Sequence, residues 1–514
     1  MGWIIGSGLR FWRLVVALAI GLLVIGIAQL RAAPVDVYPE FLPTSVEVQT
    51  EALGLSAAEV EQLITVPLEQ DLLNGVPWLD KIHSASMPGL SAIDLTFQPG
   101  TNVYAARQMV QERMTQAHAL PNVGSPPIMI QPLASVSRVA MIRLSSKQVS
   151  LIDMSVLARW HIKPRLMGVH GVANVAIYGQ RDRQLQVQVD PAKLAASDVS
   201  LTQVIETAGN ALWVSPLTFV EASTPGTGGF FESAGQRVSV QHISPITTPA
   251  QLSAVPVEGD HQHPQRLGDV SRVIVDHQPL IGDAVSDGTP SLLLVIEKFP
   301  GTNTLQVTRD VEAAMSSMAP GLKGITVDTA GYRPATFLEA ALHNTGWVAL
   351  IGLALFLLVL GLAVSWRAAV IGLITVPVAL VMAAYILYLR GSTFTTITLL
   401  GLGAAVCIVI DDVVRDIDAV RRGIAAHRAA EGAGEVPVAE AIRASVAAVR
   451  GPLVLATVAI GLATLPFIVL GQAVTAFSGP LVLTFMLAVL ASLVVAFLLT
   501  PTLGLMLLRG AGAD

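Results

Sequence analysis

Phe394-Thr-Thr-Ile-Thr-Leu-Leu-Gly-Leu-Gly-Ala-Ala-Val-Cys-Ile-Val-Ile-Asp-Asp-Val-Val414 is apolar over a length that crosses a bilayer, yet it carries two adjacent acids. A helix rising 1.5 Å per residue needs roughly 20 apolar residues to span a hydrocarbon core of about 30 Å. Ionised carboxylates near the bilayer centre cost at least about 2.5–3.5 kcal/mol each, so Asp411 and Asp412 need a compensating role. Desolvation and mutual repulsion favour their protonated forms, and acids so placed bind and release protons near neutral pH. That is what a proton relay requires. Residues four apart share a helix face, which sets Asp416 one turn beyond Asp412 and Arg415 one turn beyond Asp411. Spacing alone leaves a second reading open. The helix would leave the hydrocarbon before Asp411, and the charges would form an ordinary polar end continuous with Arg421 and Arg422. Cys407, four residues before Asp411, needs no role beyond that of a small residue in a packed helix.

Outward from this segment, further apolar stretches occupy residues 14–30, 347–364, 368–389, 453–470 and 481–508, for six candidate spans in all. The last is long enough to hold a span and an interfacial extension. Lys and Arg accumulate on the cytoplasmic side of short loops. With the amino terminus inside, Arg10, Arg13, Arg367, Arg421, Arg422, Arg428, Arg443, Arg450 and Arg509 all fall inside. Only Arg390 dissents. Residues 32–343 then lie outside, in the periplasm of a cell with two membranes.

Composition agrees. Of 514 residues 53% are hydrophobic and 13% charged, against about 45–50% and about 25% in soluble domains. A net charge of −6 gives no sign of nucleic-acid binding. A single cysteine excludes an intrachain disulfide and a cysteine-spaced metal site. Arg10 and Arg13 precede the 17 apolar residues from Leu14 to Leu30. Cleavable signals have a shorter apolar core, about 7–15 residues, so this stretch reads as a retained anchor.

Residues 32–343 read as globular protein. Ser45-Val-Glu-Val-Gln49 alternates as a strand, and Ser56 with Glu59 forms a capping box for the helix that follows. Residues 80–86 and 91–97 are strands about a turn at Pro88-Gly89, residues 102–120 an amphipathic helix, and a last strand lies near Ile128. This is a split βαβ unit of ferredoxin-like type. A second unit starts at residues 137–144, with a helix at 152–167 and a strand at 172–178. An insertion then interrupts it, with a strand at 184–189, a helix at 201–212 and a hairpin tip at Thr224-Pro-Gly-Thr-Gly-Gly229. Residues 270–275, 291–298 and 303–318 resume the interrupted unit. Asp260-His-Gln-His263 reads as a solvated loop with a weaker alternative as a cation site. Met87, Met129, Met141, Met154 and Met167 read as core filler.

Together the adjacent acids, the six spans and the paired α/β units resemble the resistance-nodulation-cell division permeases over essentially the whole chain. The residues that carry the resemblance are Tyr38-Pro-Glu40, Gly54-Leu-Ser-Ala-Ala-Glu-Val-Glu61 with Pro67-Leu-Glu69, Gly100-Thr-Asn102 with Ala106-Arg-Gln108, Ile410-Asp-Asp412 and Thr500-Pro-Thr-Leu503. They are most similar to the heavy-metal efflux branch and less to the multidrug branch. The resemblance implies an α-helical membrane protein of six transmembrane helices with α+β periplasmic porter subdomains. It places an anchor at 1–31, porter subdomain 1 at 32–134, and porter subdomain 2 at 135–180 and 270–342. A docking insertion falls at 181–269, a helix bundle at 343–508 and a cytoplasmic tail at 509–514.

By the same resemblance the chain is the amino-terminal half of a secondary active transporter in the bacterial inner membrane, not an enzyme. Asp411 and Asp412 would be the proton relay, with Arg415 and Asp416 as auxiliaries. The proton gradient stands in place of a cofactor, and no metal ligands are assigned. Implied partners are a separately encoded carboxy-terminal half, a homotrimer-like assembly, a periplasmic adaptor, an outer-membrane channel and membrane lipid. Residues 212–238 would form an arm reaching a neighbouring protomer. Two departures stand out. Arg415 occupies an aliphatic stretch of the family pattern and can pair with Asp411, and Asp418-Ala419 replaces a Glu-Asn pair. A truncated, non-transporting remnant or regulator is therefore an alternative. A membrane-anchored sensor is a weaker one, since only about 30 residues, 421–450, separate spans four and five on the inner side.

Overall fold

A computed structural model of the chain describes residues 2–116, 126–212, 227–241, 246–259, 265–286, 288–430, 438–469 and 472–508. It opens with α1 (Gly2–Arg10) and the long apolar helix α2 (Trp12–Leu30). The first α/β unit holds β1 (Ser45–Glu51), β2 (Leu79–Met87), β3 (Leu90–Phe97), α3 (Val103–Gln116) and β4 (Ile128–Met129). The sheet order is β2-β3-β1-β4, with antiparallel pairing throughout. The helix between β1 and β2 starts at the expected capping box. The Ser56 hydroxyl accepts from the Glu59 amide, and the Glu59 carboxylate accepts from the Ser56 amide at 2.8 Å. These bonds lower the Glu59 carboxyl below its ordinary value. Alternation along β3 puts Ile93, Leu95 and Phe97 on the core face, under Ile64, Leu68 and Leu72 of the helix and Val110 of α3. Each such side chain contributes about 1.5–3 kcal/mol by leaving water.

The second unit repeats the plan with β5 (Arg138–Ser145), β6 (Val172–Tyr178), β13 (Leu292–Lys298), α4 (Thr304–Met318) and β14 (Thr326–Tyr332). Its order, β14-β5-β13-β6, is that of the first sheet when each is counted along its own unit. Both are ferredoxin-like split βαβ folds. Between β6 and β13 lie β7 (Arg183–Val189), the hairpin β8 (Thr227–Ser233) and β9 (Gln236–Gln241), β10 (Ser271–His277), and the short pair β11 (Val285–Ser286) and β12 (Thr289–Pro290).

Here the chain departs from the sequence reading. The strand expected to resume the second unit at residue 270 is β10, and it pairs antiparallel with β7, Val273 opposite Val187 and Val275 opposite Leu185. The insertion therefore runs past residue 269 to at least His277, because β10 covers the separate small core of Val204, Leu252, Leu267 and Val270. Alternation identifies a strand but not its partner. The hairpin tip also moves. Thr227-Gly-Gly229 lies within β8, and the turn falls at Ala234-Gly235, where Gly235 takes φ 100°. Residues 213–226 and Asp260–His263 lie outside the described residues. Of the methionines, Met154 fills the second core, while Met87 and Met167 are exposed.

Among the described residues, six helices are long and apolar enough to cross a membrane. They are α2, α5 (Pro334–Ala363), α6 (Trp366–Leu389), α7 (Thr396–Ala430), α8 (Val438–Thr464) and α9 (Gln472–Leu508). Helix α9 is central, with α6, α7, α8 and α2 packed against it. Four helices extend well beyond the expected spans, α5 starting at Pro334 and α9 at Gln472. Helix α7 continues well past Val414 to Ala430, and α8 begins at Val438, so Arg443 and Arg450 are helical and not in a connection.

In the stretch Gly401-Leu-Gly403, the two glycines differ in role. A methyl carbon on Gly401 would lie 2.7 Å from the Leu481 carbonyl oxygen and 3.1 Å from Thr484 Cβ, whereas one on Gly403 meets nothing within 4 Å. Gly401→Ala should push α7 off α9 at a cost of about 1–3 kcal/mol, and Gly403→Ala should be near neutral. Thermal unfolding of the two variants in detergent checks this. Equal melting of both would show that the helices do not need this approach.

Candidate functional site

Helix α7 is 35 residues long, so Asp411 and Asp412 lie near its middle and not at a frayed polar end. Successive residues turn by about 100°, and this separates the charges into two faces. Outward, the Asp411 carboxylate meets the Arg415 guanidinium at 2.8 Å, each side chain about half exposed at 53% and 54%. Asp418 and Arg422 form a similar outward pair at 3.2 Å. Cys407 is exposed rather than packed.

Inward, Asp412 and Asp416 are 9% and 2% exposed. Ser492 of α9 donates its hydroxyl to Asp412 Oδ2 at 2.7 Å. Arg450 of α8 reaches Asp416 Oδ1 at 2.7 Å, with both side chains almost fully buried. The same guanidinium donates to the Ala496 carbonyl and lies 5.0 Å from the Phe497 ring centre, a cation–π contact. Asp416 Oδ2 and Arg450 Nε and Nη1 are buried without a hydrogen-bond partner. Such an incompletely satisfied buried pair is poor stabilisation by itself.

The structure thus brings Asp412 and Asp416 together and turns Asp411 and Arg415 away from them. Sequence reading missed Arg450 and Ser492. Arg450 had been counted with the short-loop arginines, yet it continues the buried stripe Ile442, Val446, Arg450, Leu453 at spacings of four, four and three. That periodicity was the available signal. Ser492 sits between Ala488 and Ala496 in a stripe of buried small residues on α9. With every group ionised, the inner cluster carries one negative charge in excess. Asp412 is the inner acid held by a hydroxyl and, among the described residues, by no cation within 4 Å. No group of three or more His, Cys, Asp or Glu that could hold a metal occurs among the described residues.

Removing one partner of a buried ion pair costs about 3–5 kcal/mol, whereas replacing both with apolar groups is often neutral. Arg450→Met should therefore lower the melting temperature sharply, and Arg450→Met with Asp416→Leu should restore most of it. If the single variant melts with the wild type, Asp416 and Arg450 are not paired as described.

Six apolar helices that enclose buried carboxylates, with two ferredoxin-like units and an insertion built onto them, define a multi-pass membrane protein of transporter architecture. The model of the AcrB/AcrD/AcrF family matches residues 10–513, and the chain belongs to that family, the efflux transporters of the resistance-nodulation-cell division type. Among curated relatives it is 26% identical over 386 residues to Protein HelA of Legionella pneumophila, covering 73% of this chain and 35% of the relative. It is 26% identical over 384 residues to the cobalt-zinc-cadmium resistance protein CzcA of Cupriavidus metallidurans, covering 72% and 34%. It is 25% identical over 428 residues to the multidrug resistance protein MdtC of Edwardsiella ictaluri, covering 80% and 40%. A crystal structure of a heavy metal efflux pump superposes with a TM-score of 0.79 at 24% identity, covering 97% of this chain and 48% of that one. The chain therefore spans about a third to a half of the length of the proteins it matches.

Proposed function

We propose that this chain is the amino-terminal half of a proton-motive-force-driven efflux permease, exporting metal cations or small toxic compounds. The observation that carries the reading is Asp412, a carboxyl buried in the bundle and held by Ser492 beside the Asp416–Arg450 pair. A carboxyl held by a hydroxyl can alternate between charged and neutral states without stranding a buried cation. In this reading Asp412 is the central relay group, Asp416 its inner neighbour, and Asp411 with Arg415 an outer pair. The distribution of arginines supports an amino terminus inside the cell, with the α/β units in the periplasm. The six apolar helices and the family support an inner-membrane protein. Chain coverage supports a companion carboxy-terminal half, and the family supports a trimer with an adaptor and an outer-membrane channel. Names of relatives favour neither substrate class, since both metal resistance and multidrug resistance occur among them.

The second reading, a non-transporting remnant or regulator, draws on the Asp411–Arg415 contact of 2.8 Å. Such a pair ties Asp411 to its own helix, facing away from Asp412 and Asp416.

The test is co-expression with a companion half in an efflux-deficient host challenged with cobalt, zinc and cadmium salts and a set of organic toxicants. Asp412→Asn should lower the tolerated concentration at least severalfold at equal membrane abundance, and Asp411→Asn should do so less. Tolerance equal to wild type in Asp412→Asn would sink the relay. A wild-type pair that confers no tolerance at all would favour the remnant.

A further inference from the structure

Among the described residues, Arg450 and Lys298 are the two cations at 0% exposure. Arg450 belongs to the acid cluster. Lys298, at the end of β13, has no part in the function proposed above. Its ammonium group donates to Asp36 Oδ2 and, at 3.4 Å, to the Thr302 carbonyl. Asp36 is itself 3% exposed. Its other oxygen accepts from the Thr304 hydroxyl at 2.8 Å and the Val37 amide at 2.7 Å. Thr304 is the first residue of α4, so this carboxylate sits where the helix dipole favours an anion.

Asp36 belongs to residues 33–42, the extended segment that leaves α2, and this segment is bonded on three sides. Towards α7, the Asp36 amide donates to the Phe394 carbonyl at 2.9 Å and the Phe394 amide returns to Pro34 at 2.8 Å. The Thr396 hydroxyl at the start of α7 donates to the Val37 carbonyl at 2.7 Å. Towards the second α/β unit, the Thr304 amide donates to the Val35 carbonyl at 2.9 Å. Towards the linker between the two units, the Ser135 amide donates to Glu40 at 2.6 Å, and the Ser135 hydroxyl accepts from the Phe41 amide at 2.9 Å.

The segment is therefore clamped between the start of α7 and the start of α4, with one desolvated ion pair at its centre. From Thr396 to Asp412 is about 24 Å along a continuous helix, which carries an axial displacement with little loss. Opening a desolvated ion pair would strand a buried charge. The joint it pins is rigid, not sliding.

We propose that residues 33–42 are the coupling strap between the acid-bearing helix and the α/β units. Asp36 and Lys298 are the positioning residues that lock it. Displacement of α7 then reaches β13 and α4 as one movement. The proposal rests on the reading of the chain as a proton-driven transporter.

The test uses the chain with its companion half in the same efflux-deficient host. Asp36→Asn with Lys298→Met removes both charges and leaves no buried ion alone. Membrane abundance and thermal unfolding should stay near wild type, while tolerance of the cobalt, zinc, cadmium and toxicant set falls at least tenfold. Hydrogen exchange at the Asp36, Phe394 and Thr304 amides should rise severalfold in that variant. A folded double variant that keeps wild-type tolerance would overturn the strap. Loss of tolerance in Asp412→Asn alongside that result would leave the relay standing, so the two ideas fail separately. A second arm does not depend on the double variant folding. Val35 and Phe394 face each other in a β-bridge, and Val35→Cys with Phe394→Cys in a Cys407→Ser background can be joined by mild oxidation. A rigid joint keeps its tolerance when cross-linked. Tolerance lost on oxidation and regained on reduction would mean that the joint opens in each cycle, which would also overturn the proposal.

Discussion

Arg450 reaching from α8 to Asp416 on α7 is the contact around which the helix bundle is organised. Neither charge can face hydrocarbon, so the two helices must cross where the side chains meet, and α9 must supply the Ala496 carbonyl and the Phe497 ring beside them. Small residues make that crossing close. A methyl carbon on Gly423 would sit 3.0 Å from the Ala441 carbonyl oxygen, and one on Gly504 2.7 Å from a Val420 methyl group. The charged pair and the glycines thus specify one arrangement of three helices whose apolar surfaces would otherwise pack in many ways.

Within that arrangement Asp412 is the group left over. Asp411 and Asp418 are paired on the outer face by Arg415 and Arg422 of their own helix, and the inner acid Asp416 is matched by Arg450, which leaves Asp412 with the Ser492 hydroxyl. A helix that pairs Asp411 and Asp418 on its outer face and carries an acid without a cation on its inner face keeps the two sets of charges apart. In the proposed relay this separation puts the weight on Asp412 more than on the neighbouring Asp411.

The α/β units follow a different logic. Two copies of the same four-stranded plan each bury one sheet face under two helices, and the second copy tolerates a long insertion because it enters at the end of β6 and leaves before β13. The insertion brings its own small core and its own sheet, so it does not disturb the host. The segment that leaves α2 for the first copy carries a buried, bonded pair, Asp36 with Lys298 of the second copy. Charge burial therefore recurs at the junction as well as in the bundle.

Much of this was legible in the residues. Six apolar runs, the alternation in β1 and β3, the Ser56–Glu59 cap and the repeat of the split βαβ unit are local signals, each set by a period or a neighbour a few positions away. The acids in α7 were legible for the same reason, since a charge within an apolar run stands out. What sequence could not decide was pairing across distance. It did not say that β10 joins β7, that Arg450 leaves the row of short-loop arginines to meet Asp416, or that Lys298 finds Asp36 some 260 residues away. Sequence fixes the period and composition of each element, whereas the partner of a buried charge or a strand edge is chosen by three-dimensional packing. Only the tertiary structure could show which of two adjacent aspartates turns inward.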